Sequence, residues 1–299
     1  MPASIPRDKL LEHRMQQLRR TLKGVHRGDP AAVHDARIAT RRLSELVPLS
    51  GLDPDQGRRL LRRLRKLRRR LSRLRDVDAE ILLLDKLMRV DRVSTSYVHL
   101  VREAIRVHAG DRSRRRDARH AAGRLKRVLV ELDAIPQETG SSGATRARER
   151  AFERAARARV VRRAGRVRRE VRDSGALYEP DRLHRARIAV KKLRYSLEVV
   201  QAIQPGFAAD LRQLKRLQGT LGRLHDAQMV LDRVRGVQDR VHSGSPTSEH
   251  DAARLRSFLE TRCRTLHGKF MRDRDALVAL CGRLAASSAA ARAERRRAG

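Results

Sequence analysis

Tryptophan is absent from this chain of 299 residues, and only three tyrosines and four phenylalanines occur. A β-sandwich leans on aromatic and β-branched pairs to hold its sheets, so the composition argues against one. The core must come from leucine, valine, isoleucine and alanine, a diet that suits packed helices. Single-stranded nucleic-acid binders usually offer aromatic platforms on which bases stack, and this chain has a thin supply. Cysteine is nearly missing too: Cys263 and Cys281 are the only two. They fall 18 residues apart in what reads as one helix, which sets them ~27 Å from each other at ~1.5 Å per residue. A disulfide between them is excluded unless that helix breaks, and the usage suits a reducing cytoplasm. No apolar run approaches membrane-spanning length, and the first residues carry no apolar leader stretch. A soluble, cytoplasmic protein with no membrane partner is expected.

Negative charge is the other scarcity. Only 35 Asp and Glu stand against 71 Lys and Arg, a net charge of +36. That excess opposes compaction and favours any polyanion able to neutralise it. Nucleic acid, an anionic membrane surface and polyphosphate are the candidates. An apolar content of 40% is enough to build a core and sets the chain apart from disordered polymers.

Glycine, proline and serine cluster into breaks, between which eight helices are predicted: 7–26, 31–47, 55–90, 95–132, 145–173, 181–203, 207–240 and 248–287. Gly110-Asp111 is able to split the fourth, and residues 289–299 read as a frayed basic tail. The longest non-helical stretch, 133–143, has four helices on either side, and that symmetry points to a duplication. His34-Asp-Ala-Arg-Ile-Ala-Thr-Arg-Arg-Leu43 matches His184-Arg-Ala-Arg-Ile-Ala-Val-Lys-Lys-Leu193 at an offset of 150. Leu64, Leu67, Leu71, Arg73, Leu74 and Asp76 recur at the same offset as Leu214, Leu217, Leu221, Arg223, Leu224 and Asp226. Two separated blocks in one register argue for related four-helix units, 1–140 and 141–288, followed by the tail 289–299. The expected fold is all-α.

The helical periodicity shows where the charge points. In the second predicted helix Ala36, Ala39, Leu43, Leu46 and Val47 share one face, with His34, Arg37 and Arg41 opposite. Its second copy repeats the division with Ala186, Ala189, Leu193 and Leu197 against His184, Arg187 and Lys191, and Arg194 joins the basic edge. In the third helix Leu60, Leu64, Leu67, Leu71 and Leu74 form a packing seam, and Arg62, Lys66, Arg69, Arg70 and Arg73 lie opposite. Arg212, Arg216 and Arg223 repeat that face, with Arg65 and Lys215 on corresponding flanks. A basic face opposite an apolar stripe is usually a solvated surface. Solubility, however, calls for mixed charge, and like charges on adjacent turns repel by roughly 0.2–0.5 kcal/mol per pair. An anion bridging them offsets that repulsion, so the paired faces read as a binding surface.

These blocks resemble the CHAD family, named for a conserved-histidine α-helical domain. The likeness lies in His34-x-x-Arg-Ile-Ala-Thr-Arg-Arg-Leu43, Leu71-Ser-Arg-Leu-Arg-Asp-Val-Asp78, His184-Arg-Ala-Arg-Ile-Ala-Val-Lys-Lys-Leu-Arg-Tyr-Ser-Leu-Glu198 and Leu217-Gln-Gly-Thr-Leu-Gly-Arg-Leu-His-Asp226. Ser72 departs from a common glycine, and His225 stands where the first copy has Arg75. The resemblance implies two four-helix bundles related by a pseudo-two-fold axis, with a basic channel or groove between them. It implies binding of inorganic polyphosphate, often on polyphosphate granules. The implied binding set is His34, Arg37, Arg41 and Arg42, with His184, Arg187, Lys191, Lys192 and Arg194. Arg62, Arg65, Lys66, Arg69 and Arg73 would complete it in one half, and Arg212, Lys215, Arg216 and Arg223 in the other.

Polyphosphate has no bases to read, so it asks only for dense charge-assisted donors, which Arg and Lys supply. Nucleic acid is the second candidate, and the oligomeric state stays open. The histidines sit beside arginines, a poor setting for a cation, and no His-Glu-x-x-His occurs. Asp76 and Asp78 diverge by ~200° on a helix and cannot share one ion. No Gly-x-x-x-x-Gly-Lys loop or nucleophile–base motif appears. A non-catalytic protein without cofactor or metal is expected, with Asp76 and Asp226 paired to nearby cations and Tyr195 and Glu198 orienting others.

Overall fold

The computed structural model describes residues 6–87, 98–99, 101–103, 105, 111–135, 142–238 and 246–297. All the regular structure among them is helical: α1 (Arg7–Arg20), α2 (Leu22–Arg27), α3 (Pro30–Leu46), α4 (Pro54–Leu87), α5 (Asp111–Asp133), α6 (Ser142–Asp173), α7 (Pro180–Ile203), α8 (Ala208–Gln238) and α9 (Pro246–Arg297). A short 3₁₀ turn, Val47–Leu49, closes α3. The first predicted helix is divided at Thr21. Its hydroxyl donates to the Leu18 carbonyl at 2.7 Å while its N–H takes the same carbonyl at 3.1 Å. This tightens the turn, as a side chain competing with the helix ladder does. The last helix runs to Arg297 rather than ending near 287, because Ala289 to Arg297 is built from strong helix formers. Gly110 and the predicted break at Val93-Ser94 lie outside the described residues.

The turns expected from glycine and proline occur where the backbone needs them. Gly28 ends α2 at φ 76°, a left-handed position that glycine enters without steric penalty. Asp29 then caps α3 by accepting from the Ala31 N–H at 3.0 Å, and Pro30 opens the helix. At Gly24 the helices α2 and α3 nearly touch. A Cβ there would lie 2.4 Å from the Ala32 methyl. Gly24→Ala is expected to destabilise the first half by about 1–3 kcal/mol through overpacking, measured as a lower urea midpoint with unchanged slope.

Each half buries its own seam. Leu18, Val33, Leu43, Leu64, Leu67 and Leu71 anchor one core, and Leu193, Leu214, Leu217, Leu221, Phe270 and Leu280 anchor the other. Residues 33–47 and 183–197 run through the same order of buried, half-buried and exposed positions, as expected of two copies packed the same way. The halves meet where α3 faces α7 and where α4 faces α8. Farther out, Leu84, Val98, Val101 and Ile105 pack with Val230, Val234, Leu255 and Leu259 in a third core shared by both halves. This clamps the far ends of α4 and α8 together. Both cysteines are buried and free. Among the described residues no helix is long and apolar enough to cross a membrane.

Candidate functional site

Because α3 and α7 turn alanines and leucines inward, the opposite edges of both helices face the junction between the halves. Arg37 and Arg41 of α3 come within electrostatic reach of Arg187 and Lys191 of α7 there, with Arg75 and Asp76 of α4 and Asp226 of α8 completing the group. Five cations therefore meet two carboxylates across the junction. The four expected from α3 and α7 come together, half-buried. Asp76 takes the nearest cation, accepting from Arg37 Nη1 at 3.5 Å.

Crowding shifts these groups away from charge. Burial, then the Arg41, Arg187 and Arg37 guanidiniums, pull the Lys191 ammonium down to about 6, with Asp226 opposing. Burial and Arg41 bring Arg37 down to about 10, and burial lowers Arg187 as well. Asp226 is pushed up by burial against the pull of Arg187, Arg75 and Lys191. The Nε atoms of Arg37 and Arg187, which hold matching places on α3 and α7, are buried without a hydrogen-bond partner. An unmet buried donor costs ~1–3 kcal/mol, more when charged.

The histidines stand at the edges of this group. Partial desolvation and then Arg75 lower His34 at the rim of the group, and partial desolvation, Arg187 and Lys191 lower His184. His184 and His225 approach each other, Nδ1 to Nδ1, at 3.5 Å. Burial, then Arg187, His184 and Lys191, drive His225 down to about 3. A cavity of about 130 Å³ opens beside them, lined in part by Arg187, Asp181, Gln228 and Asp232. Neutral imidazoles among guanidiniums are fit to donate to phosphate oxygens and poorly placed to hold a cation.

Other expected residues have different surroundings. Arg42 Nε donates to Glu198 Oε2 at 2.8 Å, and Arg194 pairs with the other oxygen of Glu198. The Arg194 guanidinium lies 4.3 Å over the Tyr195 ring, so Glu198 and Tyr195 do orient cations, and Arg42 is tied across the junction. Lys192 lies near Arg163, Arg166, Glu45 and Arg68, and burial lowers it first. Glu45 is itself buried and accepts from Arg159 at 2.6 Å and from the Ser196 hydroxyl at 3.0 Å. Arg65 and Arg69 adjoin Arg68, which reaches Arg41. Arg62, Lys66 and Arg73 are exposed on the side of α4 away from its buried seam, and so are Arg212, Lys215, Arg216 and Arg223 on α8. The structure does not bring these seven into the central group.

Sequence reasoning missed Arg68, Arg75, Arg163 and His225. On α4, Arg68 and Arg75 follow Leu67 and Leu74 directly, so they flank the seam rather than oppose it. The flank is what borders the other half. Gln218 and His225 hold the matching positions on α8, and Gln218 accepts from Arg194 Nε at 2.7 Å. Among the described residues no group of three or more His, Cys, Asp or Glu is placed to hold a metal ion.

The CHAD domain family model matches residues 9–235. No curated protein matches the sequence. Among solved structures, the crystal structure of the CHAD domain from the plant Ricinus communis is similar at a TM-score of 0.60 and 21% identity, over 94% of this chain and 93% of that one. PptA from Streptomyces chartreusis is similar at a TM-score of 0.61 and 16% identity, over 88% of this chain and 95% of that one. At such identities the structures speak for a shared fold. The family match spans well over half of the sequence, and the protein belongs to the CHAD domain family.

Proposed function

We propose that this protein binds inorganic polyphosphate along the junction between its halves, leaves it chemically unchanged, and associates with polyphosphate granules in the cytoplasm. The CHAD family is associated with polyphosphate binding in general. The observation that carries the reading here is the meeting of Arg37, Arg41, Arg187, Lys191 and Arg75 from both halves around a single locus. Cations this crowded repel one another in the free protein, and a ligand bearing a charge on every phosphate removes that repulsion. Guanidinium forks match phosphate oxygens, and half-buried cations gain more from the pairing than exposed ones, because water screens them less.

The same geometry weighs against nucleic acid. The central cations lie recessed between helices, within reach of a thin phosphate chain. A duplex carries its phosphates on a wide convex surface. Tyr195 is buried beneath Arg194 and offers no platform for a base. Salt alone does not separate the two ligands, since both release counterions. Competition does. Long-chain polyphosphate is expected to displace labelled duplex DNA from the protein when both are present at equal phosphate concentration. Displacement of polyphosphate by DNA instead would defeat the proposal. Incubation with polyphosphate and magnesium or manganese should release no orthophosphate, and release abolished by His34→Ala would show a hydrolase.

A further inference from the structure

A second charged surface lies away from the junction, on the outer side of the first half. Helices α2 and α5 pack on each other and on α1, α3 and α4, and α4 separates α5 from the second half. Among the described side chains, the carboxylates of α5 are committed elsewhere. Asp117 pairs with Arg70 and Glu131 with Arg63, both on α4, while Asp133 pairs with Arg19 of α1. The outer face is left with Arg115, Arg116, Arg119 and Lys126, joined by Lys23 and Arg27 of α2, all exposed. Among the described residues none of these six makes an ion pair. The last helix of the other half, α9, instead interleaves Asp273 and Asp275 with Arg272 and Arg274. The α2/α5 face shares its unrelieved positive charge with the exposed poles of α4 and α8, and what sets it apart is the apolar strip between its cations.

Between the basic walls runs an open groove of about 570 Å³ floored by Leu22, Ala122 and Gly123. Nothing lies within 4 Å of where a Gly123 side chain would start, so the floor is open. Val130 is two turns farther along the same side of α5 and 63% exposed, one of few large apolar side chains so placed among the described residues. An inorganic anion has nothing to set on an apolar floor, and duplex nucleic acid meets proteins mainly through phosphates and polar base edges. An acidic segment with an apolar stripe matches both features, as in the helix-in-groove mode of peptide recognition.

We propose that the α2/α5 face is a docking groove for an acidic amphipathic helix of a partner protein. Carboxylates of the partner would meet Lys23, Arg27, Arg119 and Lys126, and its apolar stripe would lie on Leu22, Gly123 and Val130. Electrostatic steering would speed the encounter, and the apolar strip would supply the selectivity for amphipathic over merely acidic chains.

The test uses the full chain and a fluorescein-labelled helical probe carrying Leu at i, i+4 and i+7 with Glu on both flanks, followed by anisotropy. A probe of equal charge with Gln in place of Leu is the comparison. Expected are binding of the Leu probe at least ~10-fold tighter than the Gln probe, a similar loss in R27E/R119E/K126E, and a several-fold loss in V130D. The variant R37Q/R187Q, altered only at the junction, should bind the Leu probe as the parent does. These positions on α2 and α5 are exposed, so circular dichroism should show full helix in the variants. Equal binding of the two probes, or loss in R37Q/R187Q with none in R27E/R119E/K126E, would overturn the docking groove. Neither result bears on polyphosphate binding at the junction, which the competition with DNA measures separately.

Discussion

Reversing Arg37, Arg41, Arg187 and Lys191 to Glu is expected to lower the affinity for long-chain polyphosphate by ~10³-fold or more. A charge-assisted hydrogen bond contributes ~1.5–3 kcal/mol, and each factor of ten in affinity corresponds to ~1.4 kcal/mol. The four bonds share one ligand and are strongly non-additive, so losing the charges alone accounts for ~10–100-fold of this effect and new repulsion for the rest. Reversal also adds four carboxylates beside Asp76 and Asp226, which already occupy the junction. A neutral version, R37Q/R41Q/R187Q/K191Q, separates the removal of attraction from new repulsion. It should bind ~10–100-fold more weakly than the parent and flatten the slope of log affinity against log salt by ~2–3, since each phosphate no longer neutralised takes away ~0.7. In both variants the helical circular dichroism should survive, because the buried seams on α3 and α7 are untouched. Titration of polyphosphate by fluorescence or calorimetry at two salt concentrations reads both effects. An unchanged affinity would move the site away from the junction.

Much of this arrangement was legible in the sequence because it depends on helical periodicity. Ala36, Ala39 and Leu43 must point inward, which fixes Arg37 and Arg41 on the opposite edge, and their repeats at 186, 189 and 193 fix Arg187 and Lys191 likewise. Both cores follow from the leucine seams. A helical wheel does not say which of the remaining faces meets the other half. On α4 the pole opposite the seam, with Arg62, Lys66 and Arg73, is left in solvent, and the flank with Arg68 and Arg75 is enclosed. That choice depends on how two bundles dock, and docking is set by residues distant in sequence.

Glu198 and Glu45 show a second limit. One acid among many cations gives no sign of which it will engage. Glu45 reaches Arg159 and Ser196, more than a hundred residues away, and Glu198 spans Arg42 and Arg194. These carboxylates hold the halves in register and remove Arg42 and Arg194 from the pool of unpaired cations. Losing one acid would leave a half-buried guanidinium without its partner, which is more damaging than losing the whole pair. The division of α1 from α2 was invisible for a smaller reason: Thr21 is an ordinary helix residue until its hydroxyl turns back onto Leu18.

Binding of polyphosphate is expected to take up protons, and Lys191 is where the largest share enters. The charged and titratable groups that face it are Arg37 and Arg41 from α3, His184 and Arg187 from α7, and His225 and Asp226 from α8. In the free protein burial and three guanidiniums hold its ammonium at about 6, so the side chain is mostly neutral at pH 7. A phosphate chain laid among these groups reverses the local potential and returns the ammonium toward its ordinary range. Affinity should then rise as pH falls between the ordinary lysine value and about 6, by at most tenfold per pH unit, and ~10–100-fold between pH 9 and pH 7. The stability of the free protein moves the other way. Since the folded pKa lies below the unfolded one, the unfolded chain binds more protons throughout that window, and stability must rise with pH across it. Lowering the pH through the window forfeits that contribution, and below about 6 the full penalty of charging Lys191 is present. Lys191→Met should therefore raise the melting temperature of the free protein most at pH 6–7, flatten its pH dependence and weaken polyphosphate binding. Calorimetric titration in buffers of different ionisation enthalpy gives the proton count directly. Uptake of a substantial fraction of a proton at pH 7.5, absent in Lys191→Met, is the expected result, and equal heats in all buffers would mean that Lys191 is already charged before the anion arrives.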